Sequence, residues 1–316
     1  MQSQSTRGSA TFSIVLLLFT NSTVLMPSRR DFLRATGATL AALPFLPSVL
    51  VARPANGSFT SLRRGVGTFT ERGGTIGWLI NDDALLVVDT QSSETAGHCW
   101  AGLQERSDRG LDMVVNTHHH GDHTGGNGFF SDHTDRIVGH ANVPELLGDD
   151  AVPPTTTYDE AWSEDVGNET LHLRHHGPAH TGGDTVVTFE HANVVHMGDL
   201  VFNRAYPFID VDGGADTENW MTTLQTVHDT YDDDTIFIHG HGNPEFGITG
   251  SRADLLVMRD FLGALNEYVT TQRQAGASLE EMKQKDVLEG FSDFDFDWAL
   301  TLGRCIEAVY REQTEG

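Results

Sequence analysis

Residues 117–126 read Thr-His-His-His-Gly-Asp-His-Thr-Gly-Gly, which places four imidazoles and a carboxylate between positions 118 and 123. Such a run packs badly in an apolar core and well around a cation, so the fold must present it as a loop where other ligands can meet it. A strand-like stretch, Asp-Met-Val-Val-Asn-Thr at 112–117, delivers the chain to this loop. In extended backbone, positions i and i+2 point to the same side, so His118 and His120 can reach one ion while His119 points away. Gly121 permits a turn, after which Asp122 and His123 are available to a second ion. The competing interpretation is a solvated histidine-rich loop. Three further groups weigh against it, each at the end of a predicted strand or in the turn beside one. His180 stands in Gly-Pro-Ala-His-Thr-Gly-Gly-Asp (177–184), Asp199 in His-Met-Gly-Asp-Leu-Val-Phe (196–202) and His241 in Ile-His-Gly-His-Gly (238–242). Residues at one end of several strands converge in a sheet protein.

The surrounding pattern predicts strands at 66–70, 75–80, 84–90, 112–117, 136–140, 169–175, 184–190, 193–197 and 235–239, with a Gly73–Gly74 hairpin turn. Helical periodicity covers 94–106, 218–230, 251–274 and 296–312. Strands dominate each half and helices fall between and after them, which predicts an α/β protein of two face-to-face sheets with helices outside. No internal repeat or low-complexity linker follows residue 52, so residues 53–316 read as one domain.

Residues 28–34, Ser-Arg-Arg-Asp-Phe-Leu-Arg, precede an uncharged apolar run ending near Ala52. Paired arginines before such a run resemble a twin-arginine export signal, with Arg29 and Arg30 recognised by the twin-arginine translocase. Residues 1–52 are therefore assigned as the signal, with the start expected at Met26 and a periplasmic or extracellular destination. The apolar stretch at 14–19 is too short to span a bilayer. The whole chain carries 45 acidic and 20 basic residues, a net of −25, and only Lys283 and Lys285 among the bases are lysines. Removing residues 1–52 leaves 16 basic and 44 acidic residues, a net of −28. That surface disfavours nucleic acid and anionic lipid as partners and is of the kind found in salt-adapted, halophilic proteins. Cys99 and Cys305 form no motif and read as two buried thiols.

With Asp89 in Leu-Leu-Val-Val-Asp-Thr, the His-x-His-x-Asp-His loop, His180, the Gly-Asp aspartate and the final Gly-His-Gly, the chain resembles the metallo-β-lactamase superfamily over nearly all of residues 60–245. The resemblance implies an αβ/βα four-layer sandwich. It also implies two zinc ions, one held by His118, His120 and His180, the other by Asp122, His123 and His241, with Asp199 between them and Asp89 supporting the loop. Two zinc ions about 3.5–4 Å apart share a water, lower its pKa and polarise a scissile carbonyl; Asp122 is then the catalytic residue that orients the bridging hydroxide. The expected reaction is cleavage of a small-molecule carbonyl substrate, whether lactone, ester, thioester or β-lactam.

Departures from the family patterns bear on substrate. Asp199 stands where some β-lactamases have cysteine, and His123 where they commonly have arginine, which is more similar to the glyoxalase II and lactonase branches. The C-terminal segment is mostly acidic, unlike the basic glutathione patch of glyoxalase II. No lysine near 199–210 can grip a β-lactam carboxylate, which leaves Arg204 as the stand-in, and Tyr206 is either an oxyanion donor or an aromatic lid residue. The stretch 202–220 is expected to line one rim of the site. A mononuclear iron oxygenase of the persulfide dioxygenase type, on the same fold, is the alternative function, and a binding or sensory module without turnover is a third. The complete ligand set favours the hydrolase over the iron enzyme, and the intact Asp122 disfavours the sensor.

Overall fold

A computed structural model of the protein describes residues 57–296 and 299–315, all within a single unit spanning 52–316. The expected signal, with Met26, Arg29 and Arg30, lies outside the described residues. Strands β1 (Ser58–Arg63), β2 (Val66–Thr70), β3 (Ile76–Ile80) and β4 (Leu85–Val88) pair antiparallel in sequence order. Helix α1 (Ser93–Gln104) then crosses over, and β5 (Met113–Val115) pairs parallel with β4. Short helices α2 (Gly121–Thr124) and α3 (Asn127–Phe130) precede β6 (Ile137–His140), and α4 (Val143–Leu146) precedes β7 (Thr156–Tyr158), completing a seven-stranded sheet.

The second sheet has six strands. It contains β8 (Ala161–Val166), β9 (Glu169–Arg174), β10 (Val186–Phe189) and β11 (Val194–His196), paired antiparallel in sequence order. After β12 (Phe202–Asn203) and helix α5 (Thr217–Thr230), β13 (Ile236–Ile238) joins parallel to β11. Strand β14 (His241–Gly242) pairs with β12 in a small separate sheet, and β15 (Thr249–Gly250) closes the edge beside β13. Helices α6 (Arg252–Gln274), α7 (Leu279–Met282) and α8 (Leu302–Glu315) finish the chain.

The layering follows from period-two burial. Along β4, Leu86 and Val88 face the other sheet, meeting Leu171, Val187 and Phe189, while Leu85 and Val87 face Cys99 and Leu103 of α1. In the second sheet, Val186, Val195 and Phe237 turn outward against Trp220 and Leu224 of α5 and Leu255 and Phe261 of α6. The order is thus helix, sheet, sheet, helix: an αβ/βα four-layer sandwich. Cys99 and Cys305 are buried free thiols in two different cores.

Most expected elements are present with ends trimmed by one or two residues. The helix expected at 296–312 instead spans Leu302–Glu315. Ahead of it, Phe291 and Phe294 belong to a turn whose rings pack on Phe261.

Candidate metal centre

The C-terminal ends of β4, β5, β11 and β13 meet at one edge of the sandwich, where antiparallel β10 begins. Each end delivers one part of the site: Asp89 after β4, the histidine loop after β5, Asp199 after β11 and His241 after β13, with His180 in the turn ahead of β10. Backbone bonds close the edge. Gly74 N donates to Asp122 O (3.1 Å), Thr75 N to Gly240 O (2.9 Å) and Thr185 N to Thr117 O (2.7 Å), tying the two sheets together around the loop. Two glycines are required by close approach. A Cβ at Gly240 would press on Asp199 Oδ1 and lie 2.7 Å from the Gly198 backbone, and Gly198 itself has φ +52° with Thr117 beneath it.

Asp89 is fully buried at φ +64° and acts as the keystone of the histidine loop. Its Oδ1 accepts from Thr117 N (2.8 Å), and its Oδ2 accepts from Thr117 Oγ1 (2.7 Å) and His123 Nδ1 (2.7 Å). That network fixes the tautomers around it. The Thr117 hydroxyl spends its hydrogen on Asp89, so His118 Nδ1 must donate to Thr117 Oγ1 (3.0 Å), leaving an Nε2 lone pair. His120 Nε2 donates to Asp210 Oδ2 (2.9 Å), leaving Nδ1 as a lone pair. His180 Nδ1 faces Asp184 Oδ1 (3.3 Å), which likewise leaves Nε2 bare. These three lone pairs converge: His118 Nε2 and His120 Nδ1 are 3.0 Å apart, and His180 Nε2 is buried without a hydrogen-bond partner among the described residues. Lone pairs so placed repel one another unless a cation or a proton sits among them. Burial, reinforced by the neighbouring imidazoles, holds His118 well below the usual imidazole range, which disfavours the proton there.

The second group is assembled beside it. His241 Nε2 lies 3.1 Å from Asp122 Oδ2 and 3.4 Å from Asp199 Oδ2, and His123 Nε2 lies 3.0 Å from Asp199 Oδ1. Asp199 Oδ2 is also 3.9 Å from both His118 Nε2 and His180 Nε2, so this carboxylate stands between the two sets. Burial alone would lower both second-set imidazoles, but Asp199 and its neighbouring carboxylate (Asp89 for His123, Asp122 for His241) reverse this. They push His123 well above its usual range and His241 to about 9. Burial alone would raise Asp199, yet His123 and His241 hold it well below the carboxylate range. The second set therefore draws protons that a dication on the same atoms would replace, and the first set offers converging lone pairs that a dication would separate. His118, His120, His180 and Asp199 form one group able to hold a metal ion, and Asp122, His123 and His241 another, each with ligand atoms within 4.8 Å. The donor chemistry fits a metal.

A family model described as the metallo-β-lactamase superfamily matches residues 70–241. The chain belongs to that superfamily. Among curated relatives, it is 29% identical over 128 residues to the 2,4-dinitroanisole O-demethylase subunit alpha of Nocardioides sp., covering 38% of this chain and 39% of the relative. It is 26% identical over 140 residues to a metallo-β-lactamase of Chryseobacterium indologenes, covering 44% and 59%. Less than two thirds of either relative is spanned. Among solved structures, the stereoselective inverting sec-alkylsulfatase from Pseudomonas sp. superposes with TM-score 0.63 at 16% identity, over 82% of this chain and 50% of that one. A metallo-β-lactamase from Pontibacter korlensis gives 0.57 at 18% identity, over 66% and 99%. These likenesses show the fold. Members of this superfamily are mostly hydrolytic enzymes.

Two expected substrate contacts are corrected by the structure. Tyr206 is 3% exposed and packs near Phe261 and Phe294 in the outer core, which is not the position of an exposed lid residue. Arg204, at φ +50°, directs its guanidinium to Asp254 (2.8 Å) and Asn203 Oδ1 (2.6 Å) and over the Phe246 ring, so its charge is already compensated. The residue that reaches the rim is instead a neighbour of both, Phe208. It is 45% exposed, with its ring 5.2 Å from that of His120. Four outer contacts escaped sequence reasoning: Thr117, Asp184, Asp210 and Phe208. The Asp four residues after His180 was a usable signal for Asp184; nothing local marks Asp210.

Proposed function

We propose that the protein is a dinuclear zinc hydrolase acting on neutral or weakly anionic carbonyl compounds, such as lactones or simple esters. The observation that carries this reading is the single Asp199 carboxylate standing between two complete ligand sets. One complete set would serve a single-iron oxygenase equally well. The second set, with Asp122, His123 and His241 converging, supports a two-ion centre instead. When bound, two zinc ions supply a nucleophile from water at neutral pH and polarise the carbonyl oxygen.

The chain's own residues do the rest. Asp199 and the five histidines hold the reacting centre at the sandwich edge. Asp122, with its side chain 43% exposed and one oxygen 3.1 Å from His241, is the open-facing carboxylate that receives and orients the proton of the attacking water. Burial alone would raise Asp122, but the His241 hydrogen bond holds it below the ordinary carboxylate range, so it is an ionised acceptor at neutral pH.

Arg204 is engaged by Asp254, and the only lysines are Lys283 and Lys285, so the clamp expected beside Asp199 for a substrate carboxylate is already occupied. The net charge of −25 further lowers the local concentration of anionic substrates. Phe208 at the rim offers an apolar contact, and a cleft of about 280 Å³ opens beside it, lined by Ile209 and Leu300 together with the ion pairs Arg311–Asp212 and Arg304–Glu307. Export by the twin-arginine route to a salt-rich exterior is part of the same proposal, and it rests on residues 28–52. The test compares kcat/KM on a lactone, an aryl ester, a cephalosporin and a glutathione thioester in high salt with zinc. The lactone or ester should lead. A clear preference for the cephalosporin that Arg204→Ala removes would overturn the substrate assignment.

A further inference from the structure

The segment 202–220 contributes one group to the centre that the hydrolase reading does not use. Asp210 Oδ2 lies 2.9 Å from His120 Nε2 and 3.3 Å from His119 Nε2, and its Oδ1 accepts from Gly213 N at 3.0 Å. We infer that Asp210 is a positioning residue that locks His120 with Nδ1 toward the three-histidine set, and that its action is confined to that set. The inference rests on the metal-binding reading above.

A neutral imidazole can present either nitrogen, and His120 is the one histidine in its set whose inward atom is Nδ1 rather than Nε2. A carboxylate on Nε2 selects that form, because it requires a proton on the nitrogen facing it. The ring is also held sterically, with Phe208 against it at 5.2 Å and His119 at 4.5 Å between centroids.

Asp210 can exert this control because its own position is fixed by the ligand loops. Its backbone N–H donates to the carbonyl of His180 (3.3 Å), Gly182 N donates to Gly213 O (2.7 Å) and Asp216 N to Ala179 O (2.9 Å). The segment 210–216 is thus stitched along 179–182, the turn that carries His180. Of the two ligand sets it meets the first, while Asp210 also meets His119 and Asp212 pairs with Arg311. The other set is supported from elsewhere, His123 by Asp89. Asp210 could instead be a ligand itself, since His119, His120 and Asp210 also bring donor atoms within 4.8 Å of one another. The 2.9 Å contact to His120 is a hydrogen-bond distance, and His120 cannot give Nε2–H to Asp210 and coordinate through the same nitrogen.

The experiment measures zinc affinity by competition with a chromogenic chelator, in two backgrounds that leave one set each: His241→Ala, which keeps the three histidines, and His180→Ala, which breaks them. In the first, adding Asp210→Ala should weaken zinc about 10- to 100-fold, and Asp210→Asn, which keeps the shape but loses the charge, by less. In the second, neither substitution should change affinity by more than about threefold. The cobalt-substituted His241→Ala protein should show an altered visible spectrum on adding Asp210→Asn, a signature that loss of general stability would not produce. Should Asp210→Ala fail to fold, the isosteric Asn variant and its spectrum still decide. Equal weakening in both backgrounds, or none in either, would overturn the inference. So would a third zinc equivalent in the unsubstituted protein that Asp210→Asn removes. Unsubstituted protein that binds no zinc would instead overturn the metal-binding reading itself.

Discussion

Asp89→Asn changes one atom and should disable half of the centre. The carboxylate accepts three hydrogen bonds, from Thr117 N, Thr117 Oγ1 and His123 Nδ1. An amide has one acceptor oxygen, so either orientation of the substituted side chain sets an N–H against an existing donor. With the amide nitrogen on the Oδ1 side one bond to a buried charge is lost and on the Oδ2 side two, at about 1.5–3 kcal/mol each. About 1.5 kcal/mol is thus the lower expectation, and about 3 kcal/mol or more applies where the amide nitrogen faces His123. For a domain of this size a loss of about 1.5 kcal/mol lowers Tm by about 3–6 °C and one of about 3 kcal/mol by about 6–12 °C. The chemical effect is sharper. Facing an amide N–H, His123 must accept at Nδ1 and carry its proton on Nε2, the atom 3.0 Å from Asp199. That proton occupies the ligand position. Differential scanning calorimetry of the apo proteins, paired with metal analysis of the zinc-loaded ones, tests both parts. The expected result is the lower Tm and a drop from two zinc per chain to one. An Asp89→Asn protein with unchanged Tm and two zinc would refute the argument that Asp89 sets the His123 tautomer.

Four other outcomes are expected. Tyr206→Phe should leave kcat and KM on the preferred substrate within about twofold, because the ring lies in the outer core, while Arg204→Ala should lower Tm through loss of the Asp254 pair without raising the KM for a neutral ester; steady-state kinetics and thermal melts check both. Changing Arg29 and Arg30 together to lysine should leave the protein in the cytoplasm, read by fractionation and immunoblot, and unchanged secretion would remove the twin-arginine assignment. Stability should rise with salt, because a net charge near −28 repels itself most where the Debye length is roughly 30 Å, at 0.01 M; a Tm indifferent to salt up to molar concentration would contradict this.

The core strands were legible because each carries its burial in its own residues. Apart from Gly67 and His196, Val66–Thr70, Leu85–Val88 and Val194–His196 are apolar or β-branched, and they are buried almost throughout. Strands Ser58–Arg63 and Ala161–Val166 were not legible: they are edge strands, half exposed, and their Ser, Glu and Asp residues are held by backbone pairing to a neighbour rather than by a hydrophobic face. The site divides in the same way. Ligand candidates announce themselves through imidazoles and carboxylates next to glycine, whereas Asp210 reaches His120 from 90 residues away through a loop path that no local pattern encodes. Arg204 and Tyr206 misled for the converse reason. Proximity in sequence to Asp199 says nothing about direction, and the left-handed backbone at Arg204 turns its side chain toward Asp254.

The central claim is that two ions act together across Asp199. The most direct measurement is the metal content of purified protein, followed by hydrolysis of the preferred ester or lactone after chelation and stepwise return of zinc. The account predicts close to two zinc per chain, loss of turnover on chelation and recovery that is complete only as the second equivalent returns. One iron per chain, with oxygen consumption on a persulfide substrate and no hydrolysis on adding zinc, would contradict it.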